Sequence, residues 1–351
     1  MTTTEDRFAD ATTWRAEFAN RLMMYETLLE DNRRSEKDFE AKREAEFAKL
    51  RDELMGKLAG PAEQLYAVAP INARDVDAMP TRRAAYSDRT AAIMAKLANL
   101  AYIGFEDSDK YKILEGILGH GKLKMLHILN VDETDLMIAD AGTFMVVAFR
   151  GSTSRQDFRT DLQSRFNVSQ VNIDDRKVSV PVHGGFYAAY RKIETELERL
   201  LAVTGDVPIY LTGHSLGGAL ALVASAALSA DPKLGARIAA VYTFGAPRVG
   251  TRIFAEIVKA PHYRVVNSGD LVPLLPPTWL RGYAHTGMPV LLRDNANLPI
   301  HRSPWGSALV LGLASLLLWP FTRSMLFRLK HDSSRYVANL ERIAKYRGRW
   351  T

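Results

Sequence analysis

The chain has 351 residues, with 46 lysines and arginines against 40 aspartates and glutamates, which gives a net charge of +6 at pH 7. Hydrophobic residues make up 47% of it and charged residues 25%, a composition that excludes disordered and fibrous proteins. Because the chain has no cysteine, disulfide bonds, thiolate metal ligands and a cysteine nucleophile are excluded as well.

The N-terminal segment, residues 1–60, carries a net charge of −3. Its apolar side chains recur every three or four residues, the spacing of an amphipathic helix. We predict a helical extension that packs or forms homo-oligomers and carries no chemistry. The first residues have neither the basic nor the apolar stretch of a signal peptide, so we expect a cytoplasmic protein. Residues 61–85 contain three prolines and are predicted to be a linker.

From residue 86 onward, apolar runs of strand length alternate with helical segments. The first helix is predicted over residues 86–106, with Ser87 or Asp88 as its cap. The strand-like runs are residues 143–149, 208–213, 238–245 and 262–267. Near-continuous apolar strands are typical of a parallel sheet covered by helices on both faces. We therefore predict one α/β domain over residues 86–351.

The stretch PIYLTGHSLGGALALVASAAL, residues 208–228, places Ser215 between glycines where a strand turns into a helix. Such a corner exposes a hydroxyl as an attacking nucleophile requires, and the glycines let the two elements cross closely. The N–H groups that open the helix point to the place where negative charge develops. The pattern predicts Ser215 as a nucleophile and the backbone N–H of Leu216 as an oxyanion donor.

A serine hydroxyl needs a base, and the base needs an acid that orients it. On this kind of sheet the chain order is serine, then acid, then histidine. The candidates after the serine are Asp231, Asp270, Asp294 and Asp332, followed by His285, His301 and His331. Asp270 follows the strand-like run 262–267 at its carboxyl end, where α/β sites lie, whereas Asp231 precedes a proline and fits a cap. His214 is expected to pack under the turn.

Several stretches together resemble the class 3 lipases, the fungal-lipase-like branch of the α/β-hydrolases. They are FRGSTSRQDFRTDL (149–162), VHGGFYAAY (182–190), GHSLGGALA (213–221), FGAPRVG (244–250), VVNSGDLVPLLPP (265–277) and HDSSRYVANL (331–340). The resemblance covers about residues 86–286 and 329–340 and leaves out residues 1–85 and 287–328. It implies an α/β-hydrolase with a mostly parallel central sheet and helices on both faces.

The resemblance also implies roles for single residues. It assigns Asp270 as the triad acid and, from the His-x4-Tyr spacing, His331 as the base. His285 lies in YAHTG, which is similar to a structural motif of the family, and stays the alternative. Ser152, after the FRG strand end, is implied as the second oxyanion residue. No metal and no organic cofactor is implied.

The residues after Ser152 form a lid over the acyl pocket in the family. Here Phe158, Leu162 and Phe166 lie four apart on a charged helical pattern. This narrow apolar stripe fits the underside of a lid, and it fits equally a surface helix docked on the core.

Residues 305–321 are 17 residues without a charge, inside a hydrophobic insertion predicted at about 287–328. The run lies between Asp270 and His331, which must both reach the serine. A single bilayer crossing would separate its ends by about 30 Å, so a transmembrane anchor is incompatible with the triad. We expect residues 302–330 to dock on an anionic membrane, with a buried helix or a cap over the acyl pocket as alternatives.

These observations predict a serine hydrolase that cleaves carboxylic esters of acyl glycerides at a membrane or lipid surface. If the protein binds a membrane, we expect it on the inner face. A phospholipase A1 and a soluble carboxylesterase stay open, because a triad does not reveal the leaving group. A noncatalytic membrane-associated scaffold, with residues 1–60 as its working part, is a further alternative. Nucleic acid is not an expected partner, since no nucleic-acid-binding motif is present.

Overall fold

The computed structural model describes residues 71–82, 84–103, 108–132, 134–151, 166–173, 176–270, 272–276, 278, 282–293, 300–301 and 331–347. The chain divides into two units, Met1–Lys57 and Leu58–Thr351, and every described residue belongs to the second. Three predicted features lie outside the described residues: the extension 1–60, the apolar run 305–321, and Phe158 and Leu162 of the lid stripe. The third residue of that stripe, Phe166, has a described backbone but no described side chain. Those predictions, and the domain boundaries, stay predictions.

The described elements are eight helices and twelve strands. The helices are α1 Ala73–Asp77, α2 Asp88–Leu100, α3 Ser108–His120, α4 Gly184–Ala202, α5 Leu216–Leu228, α6 Pro232–Arg237, α7 Arg252–Ile257 and α8 Ser333–Arg347. The strands are β1 Lys124–Val131, β2 Thr134–Asp140, β3 Met145–Phe149, β4 Phe166–Ile173, β5 Arg176–His183, β6 Ile209–His214, β7 Ile238–Phe244, β8 Gly250–Thr251, β9 His262–Asn267, β10 Tyr283–Ala284, β11 Met288–Leu292 and β12 Ile300–His301. A 3-10 turn spans Val272–Leu274.

The central sheet has eight strands in the order β1-β2-β3-β6-β7-β9-β11-β12. The five strands from β3 to β11 run parallel, and antiparallel strands close both edges. All four predicted strand runs coincide with members of the parallel group, so the predicted mostly parallel sheet is confirmed. Every residue of β3, β6, β7 and β9 is buried, as expected for strands covered on both faces.

Helices cover the two faces of this sheet. Helices α2 and α8 pack together on one face, where alternate side chains of β6, β7 and β9 join their core. On the other face α5 packs on β6 and β7, and α4 packs on α5. Helix α2 is buried almost all round because it lies between the sheet and α8. The N-cap of α2 is Ser87, one of the two residues predicted for that position. Its side-chain oxygen accepts a hydrogen bond from the N–H of Thr90 at 3.4 Å.

The parallel register brings the carboxyl ends of the strands to one edge. Phe149 lies opposite Gly213, His214 opposite Phe244, and Phe244 opposite Val265. The loops that follow β3, β6, β7 and β9 therefore start side by side. This is the edge at which α/β proteins build their sites.

A second sheet of four antiparallel strands, in the order β10-β8-β5-β4, was not predicted. Two of its strands have two residues each, too short to leave a periodic pattern. Its other two, FNVSQVNI and RKVSVPVH, mix polar and apolar residues without a continuous apolar run. Such strands are harder to recognise than those of the central sheet.

Residues 71–84, in the predicted linker, contribute to the core. Four of their apolar side chains are buried: Ile71, Val76, Met79 and Ala84. The N–H of Ala84 donates to the carbonyl of Ala239 at 3.0 Å, and the Tyr263 hydroxyl donates to the carbonyl of Ala84 at 2.6 Å. These hydrogen bonds hold Ala84 against strands β7 and β9 of the central sheet. None of the helices in the described ranges is long and apolar enough to span a bilayer.

Candidate active site

The turn between β6 and α5 carries Ser215. Its backbone has φ 57° and ψ −124°, a left-handed conformation that is costly for a residue with a side chain. The turn is held because the N–H of Ser215 donates to the carbonyl of Phe244 at 2.9 Å. Leu216 follows as the first residue of α5, where its N–H has no intrahelical acceptor. That N–H is available to bind negative charge near the serine.

The sharp turn depends on glycine at position 217. A Cβ there would collide with the carbonyl group of Phe149, at the end of β3, and a Cβ at Gly213 would collide with the backbone of Gly217. The first turn of α5 therefore passes directly against the ends of β3 and β6. This close crossing places the helix N-terminus beside the strand that leads to Ser152.

The structure brings Ser215, Asp270 and His331 together. The Nε2 of His331 lies 2.9 Å from the Oγ of Ser215, and its Nδ1 lies 2.8 Å from Oδ2 of Asp270. All three residues are buried. A carboxylate only accepts hydrogen bonds, so Nδ1 carries the hydrogen and Nε2 of the neutral ring is free to accept from the serine hydroxyl. This is the arrangement in which an imidazole can take the serine proton.

Asp270 is held by more than the histidine. The hydroxyl of Tyr336, in the first turns of α8, donates to Oδ2 at 2.5 Å, and the N–H of Val272 donates to Oδ1 at 3.0 Å. Tyr336 also accepts from the N–H of Asn267 at 3.0 Å. Burial, and next the charge of Asp270, raise the pKa of Tyr336 well above its usual value. Tyr336 therefore stays a hydrogen-bond donor to the carboxylate.

The strand end that leads to Ser152 is fixed by an ion pair that the sequence did not predict. The Arg150 guanidinium binds the carboxylate of Asp135 on β2, and the N–H of Arg150 donates to the carbonyl of Asp135 at 2.9 Å. Asp135 is buried, so the charge pair is largely protected from water. Ser152 itself lies outside the described residues, and its oxyanion role stays a prediction.

Comparison with known proteins supports the resemblance to the class 3 lipases. The family model for lipase (class 3) matches residues 146–279, from β3 to beyond β9. Over these residues the chain is similar to the class 3 lipases. The resemblance seen in the sequence and the predicted α/β-hydrolase fold are therefore confirmed.

Several curated proteins and solved structures are similar to this chain. The lipase of Rhizomucor miehei is 35% identical over 174 residues, 47% of this chain and 46% of that protein. The secreted mono- and diacylglycerol lipase 1 of Fusarium solani is 36% identical over 149 residues, 40% of this chain and 42% of that protein. The chain thus spans less than half the length of these curated relatives. The solved structure of Rhizomucor miehei triacylglyceride lipase is 25% identical with a TM-score of 0.53, covering 67% of this chain and 94% of that one.

The alternative acid and base have other contacts in this structure. Asp231 caps α6, accepting from the N–H groups of Lys233 and Leu234 at 2.7 and 3.3 Å. His285 is bonded through Nε2 to the carbonyl of Pro273 at 2.8 Å. Burial, with the charges of nearby arginines, lowers the pKa of His285 well below its usual value. Both residues therefore have structural contacts, and neither is bonded to Ser215.

His214 is buried beside His331, with the ring centroids 4.6 Å apart, as expected for a residue packed under the turn.

Within the described ranges, no cluster of three or more histidine, aspartate and glutamate side chains could hold a metal ion. That no cofactor is needed stays a prediction.

Proposed function

We propose that this protein is a serine hydrolase that cleaves the carboxylic ester bonds of acyl glycerides. The observation that carries the proposal is the hydrogen-bonded series Ser215, His331 and Asp270, with distances of 2.9 and 2.8 Å. A buried serine whose hydroxyl is bonded to an oriented imidazole is an activated nucleophile.

The first half of the reaction acylates the serine. Oγ of Ser215 attacks the ester carbonyl carbon while its proton passes to Nε2 of His331. Asp270 accepts from Nδ1 and stabilises the imidazolium that forms. The tetrahedral intermediate carries an oxyanion, to which the N–H of Leu216 donates, with Ser152 as the second donor. Each such donor typically contributes about 10²–10³ in rate. The intermediate collapses when His331 returns the proton to the leaving alcohol.

The second half releases the acyl group. Water enters where the alcohol has left, and His331 takes one of its protons as the water oxygen attacks the acyl carbon. The new tetrahedral intermediate expels Oγ of Ser215, which recovers the proton from His331 as the carboxylic acid departs. The same residues therefore serve both halves, and the enzyme returns to its starting state.

The substrate class rests on the relatives. The related proteins are named as lipases, one of them for mono- and diacylglycerol, and the related structure is that of a triacylglyceride lipase. We therefore place acyl glycerides first, with phospholipid cleavage at the A1 position and hydrolysis of soluble esters as the other outcomes. Action at a lipid surface, with residues 302–330 in contact with anionic lipid, is part of the proposal.

A substrate comparison with the Ser215→Ala variant tests the proposal. Emulsified diacylglycerol, emulsified triacylglycerol, phosphatidylcholine vesicles and a water-soluble acetate ester are each supplied to the wild type and the variant. We expect the wild type to be fastest on an emulsified glyceride and the variant to lose at least about 10⁴-fold of that activity. The matched control is Ser229→Ala, at the far end of α5, which should keep the wild-type rate. Glyceride hydrolysis that survives Ser215→Ala would refute the proposal.

A further inference from the structure

His214 makes a hydrogen bond to the backbone of the proposed catalytic histidine. Its Nε2 lies 2.6 Å from the carbonyl oxygen of His331, 117 residues along the chain. A carbonyl oxygen only accepts hydrogen bonds, so Nε2 of His214 must carry the hydrogen. The bond therefore defines which of the two neutral tautomers His214 adopts.

The second ring nitrogen of His214 is also occupied. The Tyr102 hydroxyl lies 3.0 Å from Nδ1, and 3.4 Å from the carbonyl of His214 itself. Because Nδ1 has no hydrogen in this tautomer, it accepts and the hydroxyl donates. Burial, and next the proximity of His331, lower the pKa of His214 well below its usual value. The ring thus stays neutral and keeps one donor and one acceptor in fixed places.

Tyr102 extends this series to the strand end at the oxyanion side. A backbone hydrogen bond joins its hydroxyl to Gly151, the residue after Arg150. The two groups are so close that a Cβ at position 151 would overlap the hydroxyl. Burial raises the pKa of Tyr102, so its hydroxyl keeps its proton. One series of hydrogen bonds therefore runs from Gly151 through Tyr102 and His214 to the backbone of His331.

We infer that His214 is a positioning residue that holds the backbone of His331, with the Tyr102 hydroxyl bound to its second ring nitrogen. The inference rests on the proposed function, since it assigns a role to a residue that acts through His331. His214 is not a catalytic residue. Both of its ring nitrogens are engaged with groups other than the serine, and it exchanges no proton with the substrate.

The need for such a residue follows from where His331 lies. It precedes α8 by two residues, and its ring must keep two hydrogen bonds of 2.8–2.9 Å while protons move. Two residues further along the chain, the hydroxyl of Ser333 donates to the side-chain oxygen of Asn99 at 2.6 Å. With the carbonyl of His331 bound by His214, this segment is held at two points. A displacement of about 1 Å at a reacting group can cost about 10²-fold in rate.

Two substitutions separate the hydrogen bond from the volume of the ring. In His214→Gln the side-chain amide nitrogen reaches about as far as Nε2, so it can still donate to the carbonyl of His331. In His214→Asn the amide reaches only as far as Nδ1, so that bond is lost. The full-length proteins are compared by kcat per active site on an emulsified glyceride, with active sites counted by titration with a fluorophosphonate.

We expect His214→Asn to lower kcat per titrated site by about 10- to 100-fold with KM within about twofold. His214→Gln should stay within about threefold of the wild type, because it keeps the donor. A purely structural role would lower the titrated fraction or the melting temperature of both variants and leave kcat per titrated site unchanged. Wild-type kcat in His214→Asn, or an equal loss in both variants, would overturn the inference.

A second measurement tests the tautomer in the wild type and so does not depend on how the His214 variants fold. Long-range ¹⁵N–¹H spectra of the wild-type histidines should show His214 as the neutral tautomer with hydrogen on Nε2, and Tyr102→Phe should keep that tautomer, because the carbonyl of His331 still requires a donor at Nε2. A wild-type ring protonated on Nδ1 would overturn the inference. If the wild type is not labelled by the fluorophosphonate at Ser215, the proposed function fails and the inference with it. Labelling of the wild type together with an unaffected His214→Asn variant refutes the inference alone.

Discussion

The Nε2 atom of His331 lies 2.9 Å from the Oγ of Ser215, although the two residues are 116 positions apart. The contact exists because the sheet and two packed helices hold both ends. Ser215 lies where β6 turns into α5, and His331 lies just before α8, which packs on α2. An ion pair at 2.6 Å between Lys96 of α2 and Glu341 of α8 joins the two helices. The geometry of the site is thus a consequence of the fold around it.

Replacing Asp270 by asparagine should abolish the proposed ester hydrolysis without unfolding the protein. An amide in place of the carboxylate does not stabilise the imidazolium and favours the wrong tautomer of His331, so kcat should fall by about 10⁴-fold. Steady-state kinetics on an emulsified glyceride checks this. The matched control is Asp231→Asn at the cap of α6, where asparagine caps as well as aspartate. Equal activities of the two variants would contradict the assignment of Asp270.

Replacing Tyr336 by phenylalanine should cost both stability and rate. The variant removes a 2.5 Å hydrogen bond to the carboxylate of Asp270 and the acceptor of the Asn267 N–H. Hydrogen bonds to charged groups contribute about 1.5–3 kcal/mol, so the free energy of unfolding should fall by about that amount. Loss of a partner that fixes Asp270 should also lower kcat by about tenfold.

Urea unfolding and kinetics measure the two effects of Tyr336→Phe on the same preparation. The control for removing a tyrosine hydroxyl is Tyr187→Phe. Tyr187 is a half-buried residue of α4, and this substitution should leave kcat unchanged. A Tyr336→Phe variant that unfolds like the wild type and turns over at the same rate would show that this hydrogen bond is unimportant.

The sequence predicted the parallel part of the sheet because its strands have uninterrupted apolar runs. It also predicted the corner at Ser215, since a serine between glycines at a strand-to-helix junction has few other uses. Choosing Asp270 needed the position of a strand end, and choosing His331 needed the family resemblance, because three histidines follow Asp270 and periodicity does not distinguish them.

Contacts between distant residues were not predictable in the same way. The bond from His214 to the carbonyl of His331 involves a backbone atom, which no side-chain pattern reveals. The Arg150–Asp135 pair joins the residue after β3 to the neighbouring strand β2, and β2 was not predicted. Prolines at 61, 70 and 80 suggested a linker, but the apolar residues after Pro70 pack into the core. Composition alone does not show which surface such a segment meets.

Alanine at Gly217 should disturb the turn of α5 against β3. The added Cβ would collide with the carbonyl of Phe149, and overpacking of this kind costs about 1–3 kcal/mol. We expect a lower free energy of unfolding and a lower kcat, since the N–H of Leu216 would shift with the turn. The control is Gly116→Ala inside α3, where nothing lies within 4 Å of the added Cβ. That variant should gain about 0.5–1 kcal/mol. Two variants of equal stability would contradict the close crossing at Gly217.

The stability of the fold should fall as the pH falls below about 6.5. Burial, with the Arg264 charge, lowers the pKa of His262 to about 3, and burial also lowers the pKa of His214 and of His285. The unfolded chain binds more protons than the folded one below the unfolded pKa, so protonation favours unfolding. The stabilisation is therefore complete above about pH 6.5 and is lost progressively toward lower pH, by up to about 1.4 kcal/mol per pH unit for each histidine.

Urea unfolding at several pH values between 7.5 and 5 measures this slope. His262→Gln removes one titrating group from its place between the Thr243 and Thr286 hydroxyls. The free energy of unfolding of this variant should change less steeply with pH than that of the wild type, and the difference in slope should correspond to about one bound proton. Identical slopes would show that His262 is not kept neutral by the fold.

Covalent labelling can show whether Ser215 is the nucleophile that His331 activates. Full-length protein is treated with a fluorophosphonate, and the modified residue is located by mass spectrometry of its peptides. We expect a single adduct on Ser215, absent in Ser215→Ala and formed at least about 10³-fold more slowly in His331→Ala. An adduct on another residue that survives Ser215→Ala, or labelling of Ser215 that does not depend on His331, would contradict this expectation.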